Sequence, residues 1–180
     1  SPSSRGLGDW YTRRATAGVG LAGVQLANAL GARPIGSSRN LDNLATAREM
    51  GLVEGVLEDD TLPERLKEIT GDGVAVIFDM VGPDWNRLLQ GLRIEGTLVM
   101  IGVLGGTKTE LDLRGMMQRR QTLTAMTMRS QPLEKRIAIA NIFNDRLAPL
   151  FASGRLRPLP LKTFPFSDAT AAPAHPAPYT

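Results

Sequence analysis

The segment RRATAGVGLAGVQLA holds the first residues whose spacing could do chemistry. Gly18 and Gly20 permit a tight turn, and the free N–H groups of a helix starting there offer a seat for a pyrophosphate. The spacing reads Ala15-x-Ala17-x-x-Gly20 where a dinucleotide fingerprint has three glycines, so a plain glycine-rich helix entrance fits the spacing equally well. Ala17, Gly18, Val19 and Gly20 are the candidates at this turn. GSSRN holds the second set: Ser37, Ser38 and Arg39. A site for an unphosphorylated ribose needs a carboxylate here to accept from the sugar hydroxyls, and no Asp or Glu occurs between Gly20 and Asp42. Two hydroxyls and a planar guanidinium suit a 2′-phosphate instead. In IGVLGG, the third set, the glycines of a strand-end turn let backbone approach a flat ring. Asp79 closes VIFDMVG, where a carboxylate is expected to bond backbone N–H groups or cap a helix rather than act as an acid. Met116, Met117, Met126 and Met128 read as core or interface filler, and Arg119 and Arg120 as a solvated pair.

The elements around these residues alternate helix patterns with short β runs. Val19, Ala22, Leu26 and Leu30 make a helical stripe that stops at Gly31. Pro34 to Ser38 is a short strand candidate, Asn40 caps a helix LDNLATAREM ended by Gly51, and Val53 to Leu57 is a poor strand. Thr61 caps TLPERLKEIT, with Pro63 in its first turn. VAVIFDMV and TLVMIGVLGG are nearly continuous apolar runs, the mark of strands covered on both faces. Pro83 opens a helix of Trp85, Leu88, Leu89 and Leu92 between them. Leu123 to Met128 is another strand candidate, and Leu133, Ile137, Ala140, Leu147 and Leu150 share one face of a long helix closed by Gly154. Such alternation predicts an α/β fold with an open, doubly wound parallel sheet. Ligands of such sheets sit outside the carboxyl ends of the strands, where the three candidate sets fall.

Composition narrows the function classes. The 180 residues, 42% hydrophobic and 22% charged, suit one domain with an ordinary core. Zero cysteine excludes disulfides and thiolate metal sites, and the one histidine, His175, lies in a proline-rich tail, so no metal site is expected. A net charge of +3 is too small and scattered to argue for nucleic acid. With no run of about 18 apolar residues and no apolar core in SPSSRGLGDW, a cytoplasmic protein without membrane partners is expected.

GVGLAGVQLANALGA, VIFDMVG, GTLVMIGVLGG, RRQTLTAMTMRS and LAPLFASGRLRP, in that order, resemble the zinc-independent quinone oxidoreductases (zeta-crystallin-like) of the medium-chain dehydrogenase/reductase superfamily. The likeness runs roughly from Ala15 to Phe166. It implies a Rossmann-type domain over residues 15–166 that holds NADPH, with hydride passing to a quinone or an activated alkene or carbonyl. It further implies nicotinamide contacts at Gly102, Val103 and Leu104, and a homodimer through the edge strand Leu123 to Met128. Enoyl reductase domains share much of the pattern, and a nucleotide-binding or scaffold module without turnover is the other alternative. No side chain is expected to act as acid or base, since the cofactor carries hydride chemistry. The chain departs from the family in four places. DWYTRRATAG stands where the family has an apolar first strand, and Thr12, Arg13 and Arg14 suit a buried strand poorly. Residues 1–14 read as a remnant where the family has a further domain. DATAAPAHPAPYT, in a Pro/Ala-rich tail over 167–180, replaces the last helix and strand; Asn43 stands where a lysine is common. The first strand and C-terminal elements are therefore expected to be degraded or missing, and the isolated chain to lack turnover.

Overall fold

Six strands lie side by side in one parallel sheet, in a computed structural model that describes residues 7–16, 18–158 and 165–168. They are β1 (Asp9–Thr12), β2 (Arg33–Ser38), β3 (Glu54–Leu57), β4 (Val74–Asp79), β5 (Leu92–Met100) and β6 (Thr122–Ala125). Helices α1 (Gly18–Ala29), α2 (Ala45–Glu49), α3 (Leu62–Thr70), α4 (Trp85–Gln90) and α5 (Leu113–Arg119) connect them, with a 3-10 turn at Leu41–Leu44 ahead of α2. The strand order β3-β2-β1-β4-β5-β6 reverses direction between β1 and β4. That reversal opens a crevice at the carboxyl ends of the two strands, the usual ligand position in an open α/β sheet.

Both faces of the sheet are covered. Tyr11, Ile35, Leu62, Leu66, Ile77 and Leu98 belong to a core between the sheet and the side of α3 and α4. Ala15, Leu21, Val24, Leu44, Ala47 and Leu52 form a smaller core beneath α1 and α2. The side chains of β4 and β5 on that second side, such as Val76, Phe78 and Val99, are half-buried.

The polar segment DWYT forms the central strand all the same. Tyr11 pairs with Ile35 on one side and Ile77 on the other. The strand expected to be degraded is therefore present, and it lies upstream of Ala15. Two parallel neighbours satisfy its backbone, and the polar side chains are dealt with one by one. Arg13 is taken up by carboxylates described below. Thr12 is not: its hydroxyl, like the Trp10 indole N–H, is buried without a hydrogen-bond partner among the described residues.

Several local expectations are revised. In α1 the buried residues include Leu21, Val24 and Ala27, whereas Val19 is 54% exposed and Ala22 is exposed. The helix is apolar on two faces, and Ala22 and Leu26 instead line a groove with Phe143, Leu147 and Phe151. Leu92 begins β5 opposite Val74 rather than ending α4, because Gly91 closes that helix onto Leu88. Thr61 does stand at the start of α3, but its hydroxyl donates to Asp59 at 2.8 Å instead of capping. Arg119 is not simply solvated, since it donates to the carbonyl oxygens of Gln90 and Leu92, and Arg120 pairs with Glu95 at 2.9 Å.

The last long helix is observed in three pieces: α6 (Leu133–Ile142), a π-helical turn at Phe143–Leu147, and α7 (Ala148–Ala152), followed by Gly154 at φ 73°. Its apolar face is exposed over α6, with Leu133 at 63%, and half-buried at Leu147 and Leu150. No helix among the described residues is long and apolar enough to cross a membrane. His175 and all but 167 and 168 of the expected tail lie outside the described residues.

Candidate functional site

The crevice is built where β1 runs into α1. After Thr12 the chain turns through Arg13 and Arg14, and Ala15 donates its N–H to the Ser37 carbonyl at 2.9 Å, tying the turn to β2. Arg14 adopts φ 57°, a left-handed conformation disfavoured for a residue with a Cβ. Gly20 packs so closely under this turn that a Cβ there would overlap the Arg14 carbonyl oxygen and lie 3.0 Å from the Ala15 Cα. Gly20 is thus required by close approach. Gly18 and Val19 are exposed at the start of α1, where the first helical N–H groups have no intrahelical acceptor. Ala17, the remaining candidate of this turn, lies outside the described residues.

The second set divides between the two faces of β2. Alternation sends neighbouring side chains to opposite sides of a strand. Ser37 is fully buried toward the α3 face, where it accepts from the Tyr11 hydroxyl at 2.7 Å and donates to Glu58 at 3.0 Å. It is withdrawn from the crevice, which corrects its assignment as a ligand-binding hydroxyl. Ser38 and the exposed Arg39 line a cavity of about 220 Å³ with Arg14, Thr16 and Asn43. Neither Arg14 nor Arg39 has a carboxylate within 4.0 Å among the described residues. The sequence reading missed Arg14 and Thr16 as wall residues, and counted Asn43 only as a lost charge.

Beneath the crevice lies a buried ionic network. The Arg13 Nε donates to Glu58 at 2.5 Å, and its guanidinium stands 3.6 Å from Asp79 and 4.0 Å from Asp84. Burial works to lower the Arg13 pKa, but the Glu58 hydrogen bond and the charges of Glu58 and Asp79 outweigh it, so the cation is held more firmly than usual. Asp79 is fully buried and accepts from the N–H groups of Val81 at 3.0 Å and Gly82 at 2.8 Å and from the Trp85 indole at 2.8 Å. Every one of these contacts positions structure, as expected for a strand-end carboxylate. Glu58, absent from the sequence candidates, had no local signal, because its partner Arg13 is 45 residues away.

The same network makes a testable statement about alkaline pH. Burial first, and then the Glu58 charge, push the Tyr11 phenol far above its ordinary 10.0, against the opposing Ser37 hydrogen bond and Arg13 charge. A raised folded-state pKa contributes stability fully below the unfolded value, and that contribution is lost as pH rises past about 10 toward the folded value. Urea midpoints of the parent should therefore fall between about pH 8 and pH 10.5, and fall less in Tyr11→Phe, which has no phenol at this site to ionise. An equal fall in both proteins would refute this.

The third set lies across the crevice. The loop after β5 is laced to the loop after β4 by hydrogen bonds from Ile101 to the Asp79 carbonyl at 2.8 Å and from Gly105 to that of Val81 at 2.7 Å. A Cβ at Gly102 would lie 2.7 Å from the Met80 carbonyl oxygen, so this approach also needs glycine. Val103 and Leu104 are 40% and 76% exposed. Gly102 and Val103 border a cavity of about 520 Å³ with Met100, Met126 and Gln131. The three sets are thus carried at the same edge of the sheet, by the ends of β1, β2 and β5.

Residues 18–144 match the family described as zinc-binding dehydrogenases. Among curated proteins, quinone oxidoreductase 1 of Escherichia coli (strain K12) is 39% identical over 102 residues, covering 55% of this chain and 31% of that protein. Among solved structures, Escherichia coli quinone oxidoreductase complexed with NADPH superposes with a TM-score of 0.73 at 30% identity, covering 88% of this chain and 49% of the other. The quinone oxidoreductase of Thermus thermophilus, also solved with NADPH, gives a TM-score of 0.79 at 26% identity, covering 94% and 54%. The chain thus spans about half the length of these solved structures.

Proposed function

As this chain belongs to the zinc-binding dehydrogenase family, in its quinone-oxidoreductase-like part, we propose that it is the NADPH-holding domain of an oxidoreductase acting on a quinone or an activated alkene or carbonyl. One observation carries the reading most directly. The cavity at the end of β2 has Arg39 on its wall and no carboxylate to accept from ribose hydroxyls. The close approach of Gly20 beneath the turn, which a Cβ would fill, fits a seat for the pyrophosphate on the first N–H groups of α1. Gly102, Val103 and Leu104 would meet the nicotinamide, with the glycine allowing backbone approach. Bound NADPH would supply a hydride. The residues of this chain hold and orient it and offer no acid or base.

The same reading places the domain over about residues 15–166 with β1 added, and gives it a homodimer through the edge strand β6 and a cytoplasmic setting. Support for the pairing is that β6 has a neighbour on one side only among the described residues and is followed by Met126 and Met128, 40% and 43% exposed. The same reading takes the hydride transfer to be zinc-independent. It assigns no acceptor-binding residue to this chain and takes the isolated chain to lack turnover.

Calorimetric titration tests the cofactor assignment. Arg39→Ala should weaken NADPH by roughly 10- to 150-fold, the equivalent of one charge-assisted hydrogen-bonded contact, and leave NADH nearly unaltered. Equal loss for both dinucleotides would mean that Arg39 acts through folding.

A further inference from the structure

We infer that Arg14 is a second determinant of specificity for the phosphorylated ribose, sharing the 2′-phosphate with Arg39, and that the site keeps a strained backbone to place it. This rests on the NADPH reading above and adds a residue to its recognition chemistry. Three observations lead to it.

The first is the fate of two adjacent arginines. Arg13 is buried and meets Glu58, Asp79 and Asp84, whereas Arg14 has no carboxylate within 4.0 Å among the described residues and lines the same cavity as Arg39. Two arginines on the wall of one cavity of about 220 Å³, with no acid among its described lining residues, repel each other. An anion between them relieves that repulsion, and a phosphomonoester dianion matches two planar forks better than a carboxylate does. The hydroxyls of Thr16 and Ser38 and the amide of Asn43 complete a wall of donors.

The second is strain. Arg14 sits at φ 57° where glycine would be free of cost, so the side chain is present against the local preference of the backbone. The third is that the turn cannot relax to ease it. The Arg14 N–H donates to the Ser37 hydroxyl at 3.3 Å, the Ala15 N–H donates to the Ser37 carbonyl at 2.9 Å, and Gly20 is packed against the Arg14 carbonyl. The backbone conformation is over-determined by its surroundings, which fixes the point on the cavity wall from which the Arg14 side chain departs.

The test pairs thermal unfolding with calorimetry on the full chain, using NADPH, NADH, 2′,5′-ADP and 5′-AMP. Arg14→Gly should unfold at a higher temperature than the parent, because it relieves the left-handed arginine. It should also bind NADPH and 2′,5′-ADP about tenfold more weakly while NADH and 5′-AMP stay within about twofold. The double variant Arg14→Gly/Arg39→Ala should lose the remaining preference for the phosphorylated ligands. If Arg39→Ala loses preference and Arg14→Gly does not, Arg14 is a bystander and the inference fails while the NADPH reading stands. Equal losses for phosphorylated and unphosphorylated ligands in Arg14→Gly would place Arg14 on the shared pyrophosphate and overturn it too. A parent chain with no preference for NADPH over NADH would overturn the NADPH reading and this inference together. A lower unfolding temperature for Arg14→Gly would remove the strain argument.

Discussion

Asp79→Ala is expected to lower the stability of the folded chain by about 3–5 kcal/mol, the range for breaking a buried ion pair by removing one partner. The carboxylate is fully buried at the carboxyl end of β4 and serves three N–H donors at 2.8–3.0 Å while facing the Arg13 guanidinium at 3.6 Å. Removing it leaves the Val81 and Gly82 amides and the Trp85 indole without that acceptor, at about 1–3 kcal/mol for each donor left wholly unsatisfied. It also strips Arg13 of one of its counter-charges. Glu58 keeps its contact with Arg13, which is why the loss is placed inside the range for a single pair rather than as the sum of the broken contacts. Asp79→Asn retains one carbonyl acceptor and should fall between the parent and the alanine variant. Urea unfolding followed by circular dichroism measures both. A loss under about 1 kcal/mol for Asp79→Ala, with an unchanged m-value, would show that the β4–α4 corner does not depend on this carboxylate.

Gly20→Ala is the second large effect. The new methyl would overlap the Arg14 carbonyl oxygen and press on the Ala15 Cα, both backbone atoms with no rotamer through which to escape. The turn between β1 and α1 must open, and the hydrogen bond from Ala15 to the Ser37 carbonyl moves with it. Overpacking of this kind costs about 1–3 kcal/mol, which outweighs the gain of roughly 1 kcal/mol that alanine brings to a helix over glycine. Because the pyrophosphate seat is common to both dinucleotides, NADPH and NADH should each bind at least about tenfold more weakly, corresponding to roughly 1.4 kcal/mol. Gly23→Ala is the matched control. Its methyl would meet only the Thr12 side chain, with the hydroxyl at 3.5 Å, an ordinary contact, so stability should hold or rise and binding should be unchanged. If Gly20→Ala binds both dinucleotides like the parent, the turn is not their seat.

Much of the architecture is legible in the residue pattern. The apolar runs of β4 and β5 mark interior strands, although their second face is only half-buried, and glycines punctuate the helices. The order of alternation implies a parallel sheet, which is what the strand order β3-β2-β1-β4-β5-β6 shows. The central strand is harder to see, because DWYT has the composition of a surface loop. It is held in place by two parallel neighbours, and its awkward charge is absorbed by Glu58 and Asp79, which are close to Arg13 in space alone. The stripe of α1 turns out to face away from the sheet for a related reason. That helix is apolar on two faces, and periodicity cannot say which one meets the sheet.

By itself, the sequence determined the fold class, the family likeness, the strand ends at which a ligand would be met, and the lack of any acid within the segment that ends β2. These are properties of residue type and order along the chain. The tertiary structure decided which of two neighbouring residues faces the crevice. Ser38 does and Ser37 does not; Arg14 does and Arg13 is buried in carboxylates. Ser37 and Ser38 lie on a strand that reverses its side chains at every residue, and Arg13 and Arg14 on a turn whose left-handed residue re-aims the chain, so a local pattern does not give the phase. The phase is set by pairing with strands and charges far along the chain, and it exists only once the sheet has formed.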